Sequence, residues 1–324
     1  MHIVGGLYHE LCCVPKWDAI YGSGGRAASV LSTLSPNSTL HTYVEDMNSP
    51  GITSLRALGI NLKCSPRQSN IVFSYFHPLS RPHIQPQANV IQRQPAIKVS
   101  GEAVLRFGFL EGDAVIDAHR AVYDPQTWQN SPAFSENESI ASELAVVLNE
   151  FELQSTTGIN ELDLASSYLM ESQDIAVIVV KRGPQGAMVF KRGCQAAYVP
   201  AYRSSRVFKI GTGDVFSAIF AHNWAERRYS ALTAADTASR SVAVYCGTGR
   251  TPLDAGDLSA LVAVKSNTKG TVALEGAYNT IDSDPGNRRN GYSQKELASK
   301  VGPIVIDVPR DRKSEFAPAI VKKR

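Results

Sequence analysis

Hydrophobic residues in this chain fall into short runs separated by polar or glycine-rich breaks, and the runs alternate between a strand-like and a helix-like period. His2-Ile3-Val4-Gly5-Gly6-Leu7 opens the chain as a short strand. Residues 26–31 have helical spacing directly after Gly24-Gly25, which predicts a helix whose N-terminus lies against glycines. Strands are predicted at 39–44 and 71–76, with a helix over 49–58 ending at Gly59. Pro78, Pro82, Pro86 and Pro95 make 77–98 a loop or an irregular edge hairpin. Further strands are expected at 114–117, 120–123 and 144–148, with a helix over 136–143 and an amphipathic helix over 160–170. Residues 175–180 form a continuous β-branched run, as in a strand buried on both faces. A hairpin over 186–191 and 196–199 and two Ala-rich helices, 214–227 and 230–246, complete the series. This alternation predicts an α/β fold with a doubly wound, mostly parallel sheet flanked by helices.

The pattern changes after residue 265. Polar, Gly/Asn/Asp-rich stretches there surround two expected strands, 271–274 and 303–308, with a short helix over 293–299. The expected division is a main domain over 1–265 and a C-terminal extension over 266–324, either a βαβ-like unit or an appendage.

Composition narrows the class. A chain of 324 residues with 43% hydrophobic and 19% charged residues can bury a substantial core. A formal charge of +3 gives no field that argues for nucleic acid. Five cysteines without a C-x-x-C pair read as reduced thiols in a cytoplasmic protein. No apolar run is long enough to cross a membrane, and the seven histidines show no metal-ligand spacing.

The segment that carries chemistry is Gly211-Thr212-Gly213-Asp214, followed by the apolar run Val215-Phe216-Ser217-Ala218-Ile219-Phe220. Glycines around a small residue allow a tight turn that aims backbone N–H groups at one point, and a helix starting there adds its dipole. An acid in that niche stays ionised and can accept a proton, a combination suited to phosphoryl transfer to an alcohol. The plainer alternative is a glycine-rich helix cap with an ordinary first-turn acid.

The order of motifs adds to this reading. From residue 1 to about 262 the chain resembles the ribokinase-like (PfkB) carbohydrate kinases: Val4-Gly5-Gly6-Leu7-Tyr8-His9-Glu10 is similar to the family's opening strand and acceptor-gripping acid, and Gly24-Gly25-Arg26-Ala27-Ala28-Ser29 to its Gly-Gly motif. Ala121-Val122-Tyr123-Asp124-Pro125 resembles its strand ending in Asp-Pro, and Asn149-Glu150-Phe151-Glu152 its Asn-x-x-Glu motif. Val180-Lys181-Arg182-Gly183-Pro184-Gln185-Gly186 resembles its nucleotide-side strand and turn, and Gly211–Asp214 its signature. The resemblance implies a ribokinase-like fold and Asp214 as catalytic base, with Gly211, Thr212 and Gly213 holding the γ-phosphate. It implies acceptor contacts from Glu10, Gly24, Gly25 and Ser29. It also implies ATP bound near Asn149, Glu152, Lys181, Gly183, Gly186 and Gly247, with Mg2+ near Asn149 and Glu152 through water. Partners would be a sugar or nucleoside and ATP, neither nucleic acid nor membrane, with homodimer assembly left open.

Departures from the family pattern qualify the acceptor. Glu10 stands in place of aspartate, and Ser29 in place of asparagine, which removes an amide partner for hydroxyls. Only residues 11–23 separate Glu10 from Gly24, so the lid is expected to be reduced. Phe208-Lys209-Ile210 replaces the polar residues associated with a monovalent cation. The reading is an ATP-dependent kinase for a sugar or sugar-like hydroxyl. Its alternatives are a nucleoside kinase and a non-catalytic binding module of the same fold.

Overall fold

The computed structural model describes residues 1–126, 131–253, 261–264, 289–299 and 302–311, and the chain divides into two compact units, Met1–Val264 and Lys265–Arg324. In the first unit the elements run β1 (His2–Val4), β2 (His9–Cys12), β3 (Trp17–Ile20), α1 (Gly22–Leu31), β4 (Thr39–Val44), α2 (Pro50–Ala57), β5 (Asn61–Pro66), β6 (Val72–Tyr75) and β7 (His83–Gln85). They continue as β8 (Ile97–Phe107), β9 (Ala114–Asp124), β10 (Ile140–Asn149), α3 (Glu150–Thr157), α4 (Leu162–Ser172), β11 (Val177–Lys181), β12 (Ala187–Lys191), β13 (Ala197–Val199), α5 (Thr212–Ala221) and α6 (Ala231–Thr248).

Nine strands form one sheet in the order β13-β12-β11-β10-β9-β8-β1-β4-β5, parallel from β5 to β11 and antiparallel at the β12–β13 edge. Helices cover both faces, as expected for a doubly wound sheet. One face packs Ile3, Leu40, Leu105, Val122, Val147 and Val179 against α1, α5 and α6; the other packs Val4, Val104, Val146, Ile178 and Val180 with Leu153 of α3 and Leu169 of α4. Gly24 sets the closeness of α1 to the sheet, because a Cβ there would lie 2.4 Å from the Gly5 carbonyl oxygen. Parallel β8 and β9 are joined by residues 108–113 alone, where a parallel pair usually needs a dozen or more.

A second sheet, β3-β2-β6-β7, forms a small lid. Its strands are short, in keeping with the few residues between Glu10 and Gly24, and β7 comes from the proline-rich segment. Among the described residues no helix is long and apolar enough to cross a membrane.

Several expectations are corrected. The predicted helix over 136–143 is a 3-10 turn, Phe134–Asn137, followed by β10, whose first half alternates exposed and half-buried residues at the sheet's end. The two strands expected at 114–117 and 120–123 are one strand, β9, and β8 carried no prediction at all. In the Lys265–Arg324 unit, β14 (Arg289–Ser299) and β15 (Gly302–Asp311) pair as an antiparallel hairpin. The helix expected over 293–299 is therefore part of a strand, while the strand expected over 271–274 lies outside the described residues.

Candidate active site

Two elements near the start of the chain and one from its second half meet around a cavity of about 200 Å3. Lid strand β2 carries Glu10, the first two turns of α1 carry Gly22, Ser23 and Arg26, and the N-terminus of α5 carries Gly211, Gly213 and Asp214. Tyr8, and Phe73 and Tyr75 from β6, supply aromatic walls. Gly211 has φ 78° and a Cβ on it would stand 2.1 Å from Arg26 Nε, so only glycine fits both the backbone and the space. The amides of Gly213 and Asp214 fall in the first turn of α5, where helix geometry leaves them without intrahelical acceptors. Thr212 differs, since both its N–H and its hydroxyl are directed to the Lys209 carbonyl oxygen, at 3.2 and 3.0 Å.

Arg26 is the centre of this site. Its Nη1 donates to Glu10 Oε1 at 3.0 Å and to Asp214 Oδ2 at 2.9 Å, its Nη2 donates to Glu10 Oε2, and its Nε donates to the Tyr245 hydroxyl at 3.1 Å. The guanidinium is 1% exposed, and the Tyr21 and Tyr245 rings lie 5.1 and 6.0 Å from it. Gln126 Nε2 donates to the other oxygen of Asp214 at 2.6 Å. Burial raises the Asp214 pKa above the ordinary carboxylate value, and the Arg26 charge opposes that rise.

A second charged cluster lies on the side of β9, β10 and β11. Lys181 Nζ donates to Asp124 Oδ2 at 2.8 Å, and Ser217 Oγ donates to the same oxygen at 2.6 Å. Asp124 is 1% exposed, and its Oδ1 has no hydrogen-bond partner. Burial lowers the Lys181 pKa, but Asp124 and Glu152 outweigh it and leave the ammonium above its usual value. A Cβ on Gly213 would lie 3.5 Å from Lys181 Nζ, so the ammonium stands beside the glycine turn. Asn149 and Glu152 form a capping box on α3: Asn149 Oδ1 accepts from the Glu152 N–H at 2.9 Å, and Glu152 Oε2 accepts from the Asn149 N–H at 2.8 Å. Burial brings the Glu152 pKa up to about 7.

The expected site residues thus separate into groups. Asp214, Gly211, Gly213 and Glu10 line one cavity, with Glu10 on the lid strand β2 and not at the end of the opening strand β1. Lys181 is bonded to Asp124, while Glu152 is bonded to Asn149 and feels the charges of both Lys181 and Asp124. Gly24 and Gly25 serve the packing of α1, the latter against the Leu7 side chain, while their neighbours Ser23 and Arg26 face the cavity. Ser29 is fully buried, its hydroxyl meets the Thr251 hydroxyl at 2.6 Å, and it does not line the cavity. Gly186, at φ 79°, sits where a Cβ would be 2.1 Å from the Val199 carbonyl oxygen, a tight hairpin requirement, and Gly183 starts the exposed turn before it. A Cβ on Gly247 would meet the Ser205 hydroxyl at 3.0 Å. Phe208 packs on Trp17 of the lid, ring centroids 4.9 Å apart. His9, next to Glu10, turns to Asp18 at 2.7 Å.

Arg26, Gln126 and Ser217 were not anticipated. Only a cation adjacent to the paired glycines hinted at Arg26; its counter-charges come from positions 16 and 188 residues away.

Comparison with known proteins bears on the fold. Residues 115–251 match the model of the pfkB family carbohydrate kinases, and residues 262–324 match that of the Mutator family of transposases. The chain is 25% identical over 126 residues to a 5-dehydro-2-deoxygluconokinase of Listeria monocytogenes, covering 37% of this chain and 38% of that protein. A namesake from Listeria innocua is 27% identical over 128 residues, again covering 37% and 38%. The chain thus spans less than two fifths of the length of these curated relatives. Arabidopsis thaliana ribokinase with ribose and ATP superposes with a TM-score of 0.61 at 14% identity, covering 79% of this chain and 96% of that one. A pyrophosphate-dependent kinase of the ribokinase family, complexed with a pyrophosphate analogue and myo-inositol, gives 0.54 at 17% identity over 80% and 100%. Burkholderia thailandensis nucleoside kinase with inosine gives 0.54 at 16% over 76% and 90%. The Met1–Val264 unit has the ribokinase-like fold. Within that unit residues 115–251, less than half of the chain, are similar to the pfkB family carbohydrate kinases.

Proposed function

We propose that this chain is an ATP-dependent kinase that phosphorylates a hydroxyl of a sugar or sugar-like acceptor. The observation that carries the reading is Asp214: a carboxylate in the first turn of α5, beside the Gly211–Gly213 turn, facing a cavity large enough for one small polyol. In this reading the acceptor hydroxyl approaches Asp214, which takes its proton as the acceptor oxygen bonds to the γ-phosphorus and the bond to the departing ADP breaks. The Gly213 and Asp214 amides and the α5 dipole stabilise the charge on the transferring group. Lys181, beside Gly213, adds a fixed cation on the donor side. Asn149 and Glu152 are turned on each other, which suits a magnesium ion held through water by Glu152 and the free oxygen of Asp124, not one ligated directly. Bound there, magnesium would screen the phosphate charges.

Two alternatives have observations of their own. Both Asp214 oxygens already accept hydrogen bonds, from Arg26 and Gln126, as would suit a binding module without turnover. A nucleoside acceptor could stack its base on the aromatic wall of Tyr8, Phe73 and Tyr75. The test is Asp214→Asn. It should lower ADP release by at least about a hundredfold while leaving ATP binding intact. Near-normal turnover would remove Asp214 as the base, and a wild-type protein that binds acceptor but never turns over would favour the binding module.

A further inference from the structure

The acceptor cavity mixes two acids with one base, so its preference for charge depends on which groups are still available to a ligand. Arg26 is not. Its Nε is bonded to Tyr245 and its Nη1 and Nη2 to Glu10 and Asp214, with the Tyr21 ring 5.1 Å away and 1% of its surface open. Its single charge is set against two carboxylates, which leaves the triad one negative charge in excess. The α1 N-terminus does not reverse this, because the Gly24 and Gly25 amides are directed to the Gly6 carbonyl oxygen at 2.9 and 3.4 Å.

The remaining polar groups suit hydroxyls. Ser23 is 5% exposed, lines the cavity and has a hydroxyl oxygen without a partner, a buried group that costs free energy until a ligand pairs with it. Tyr75 also lines the cavity, and burial with Glu10 and Asp214 nearby holds its hydroxyl protonated. Glu10 and Asp214 keep lone pairs that accept from O–H groups and repel anions. Tyr8 and Phe73 provide an apolar surface for the ring carbons, stacked at 5.3 Å.

We infer that the Glu10–Arg26–Asp214 triad and the Ser23 hydroxyl select a neutral, hydroxyl-rich acceptor of monosaccharide size and exclude acceptors bearing a carboxylate or a phosphate. This rests on the kinase reading for the identity of the site and deepens it. It also separates this chain from the substrate class printed in the names of its curated relatives, which are kinases of a sugar acid.

The experiment is calorimetric titration of the full chain with matched pairs: ribose against ribonate, glucose against gluconate, fructose against fructose 6-phosphate. At least one neutral member should bind about tenfold or more tightly than its anionic partner. Ser23→Ala should weaken that neutral ligand about tenfold, the loss of one buried hydrogen bond, and leave the anion unchanged. Glu10→Gln keeps the side-chain shape and removes one negative charge, so the neutral-to-anion ratio should fall severalfold. An anion that binds as well as its neutral partner, a ratio unmoved in Glu10→Gln, or failure of every neutral sugar to bind would each overturn the inference. A neutral sugar that binds selectively yet is never phosphorylated with magnesium-ATP would sink the kinase reading alone.

Discussion

Without its guanidinium, Arg26 would leave Glu10 and Asp214 buried across the same cavity with no counter-charge between them. Losing one partner of a buried ion pair typically costs about 3–5 kcal/mol, because the stranded charge cannot be rehydrated. Arg26→Met should therefore lower stability by about that amount, read from urea denaturation; a loss below about 1 kcal/mol would show that the triad is not held as described. Glu152 gives a pH signature. Its pKa is raised from its ordinary 4.5 to about 7, so the folded chain holds this proton more tightly than the unfolded one. The stabilisation is complete below about pH 4.5 and is lost as pH rises through about 7. Glu152→Gln should reduce the difference between denaturation midpoints measured at about pH 5 and pH 8.

At the scale of elements, α1 rests on β1 only because Gly24 lacks a side chain. Gly24→Ala would force a Cβ to within 2.4 Å of the Gly5 carbonyl oxygen, and overpacking of this kind costs about 1–3 kcal/mol. Because α1 also carries Ser23 and Arg26, acceptor binding should weaken together with stability, as paired thermal and binding measurements would show. The central strands were legible in the sequence because a strand buried on both faces needs an unbroken apolar run, as in β11. Strand β8 was not, since Lys98, Ser100 and Glu102 interrupt it and its pairing comes from β1 and β9. The polar start of β10 reads as helix for the same reason: neighbouring strand β9, not local preference, decides its state. The glycine turn before α5 was readable from four adjacent residues, whereas the Arg26 contacts depend on elements that only tertiary folding brings together.

The two units of the chain match different families, a carbohydrate kinase within the first and a transposase in the second. The first has its own continuous core on both faces of the nine-stranded sheet. A fragment ending at Val264 should therefore fold cooperatively and keep acceptor binding; loss of the near-ultraviolet dichroism of packed aromatics in that fragment would refute its independence. Within that unit one side chain, Arg26, joins the small lid sheet to the helices of the main sheet. Glu10 belongs to the lid sheet, while Arg26 and Asp214 belong to helices on the main sheet. Swinging the lid outward must pull apart a buried ionic clasp, so the entrance is barred by the very charges that meet the guest. Entry should then be slow and nearly indifferent to added salt, the clasp closing again once the visiting molecule is inside.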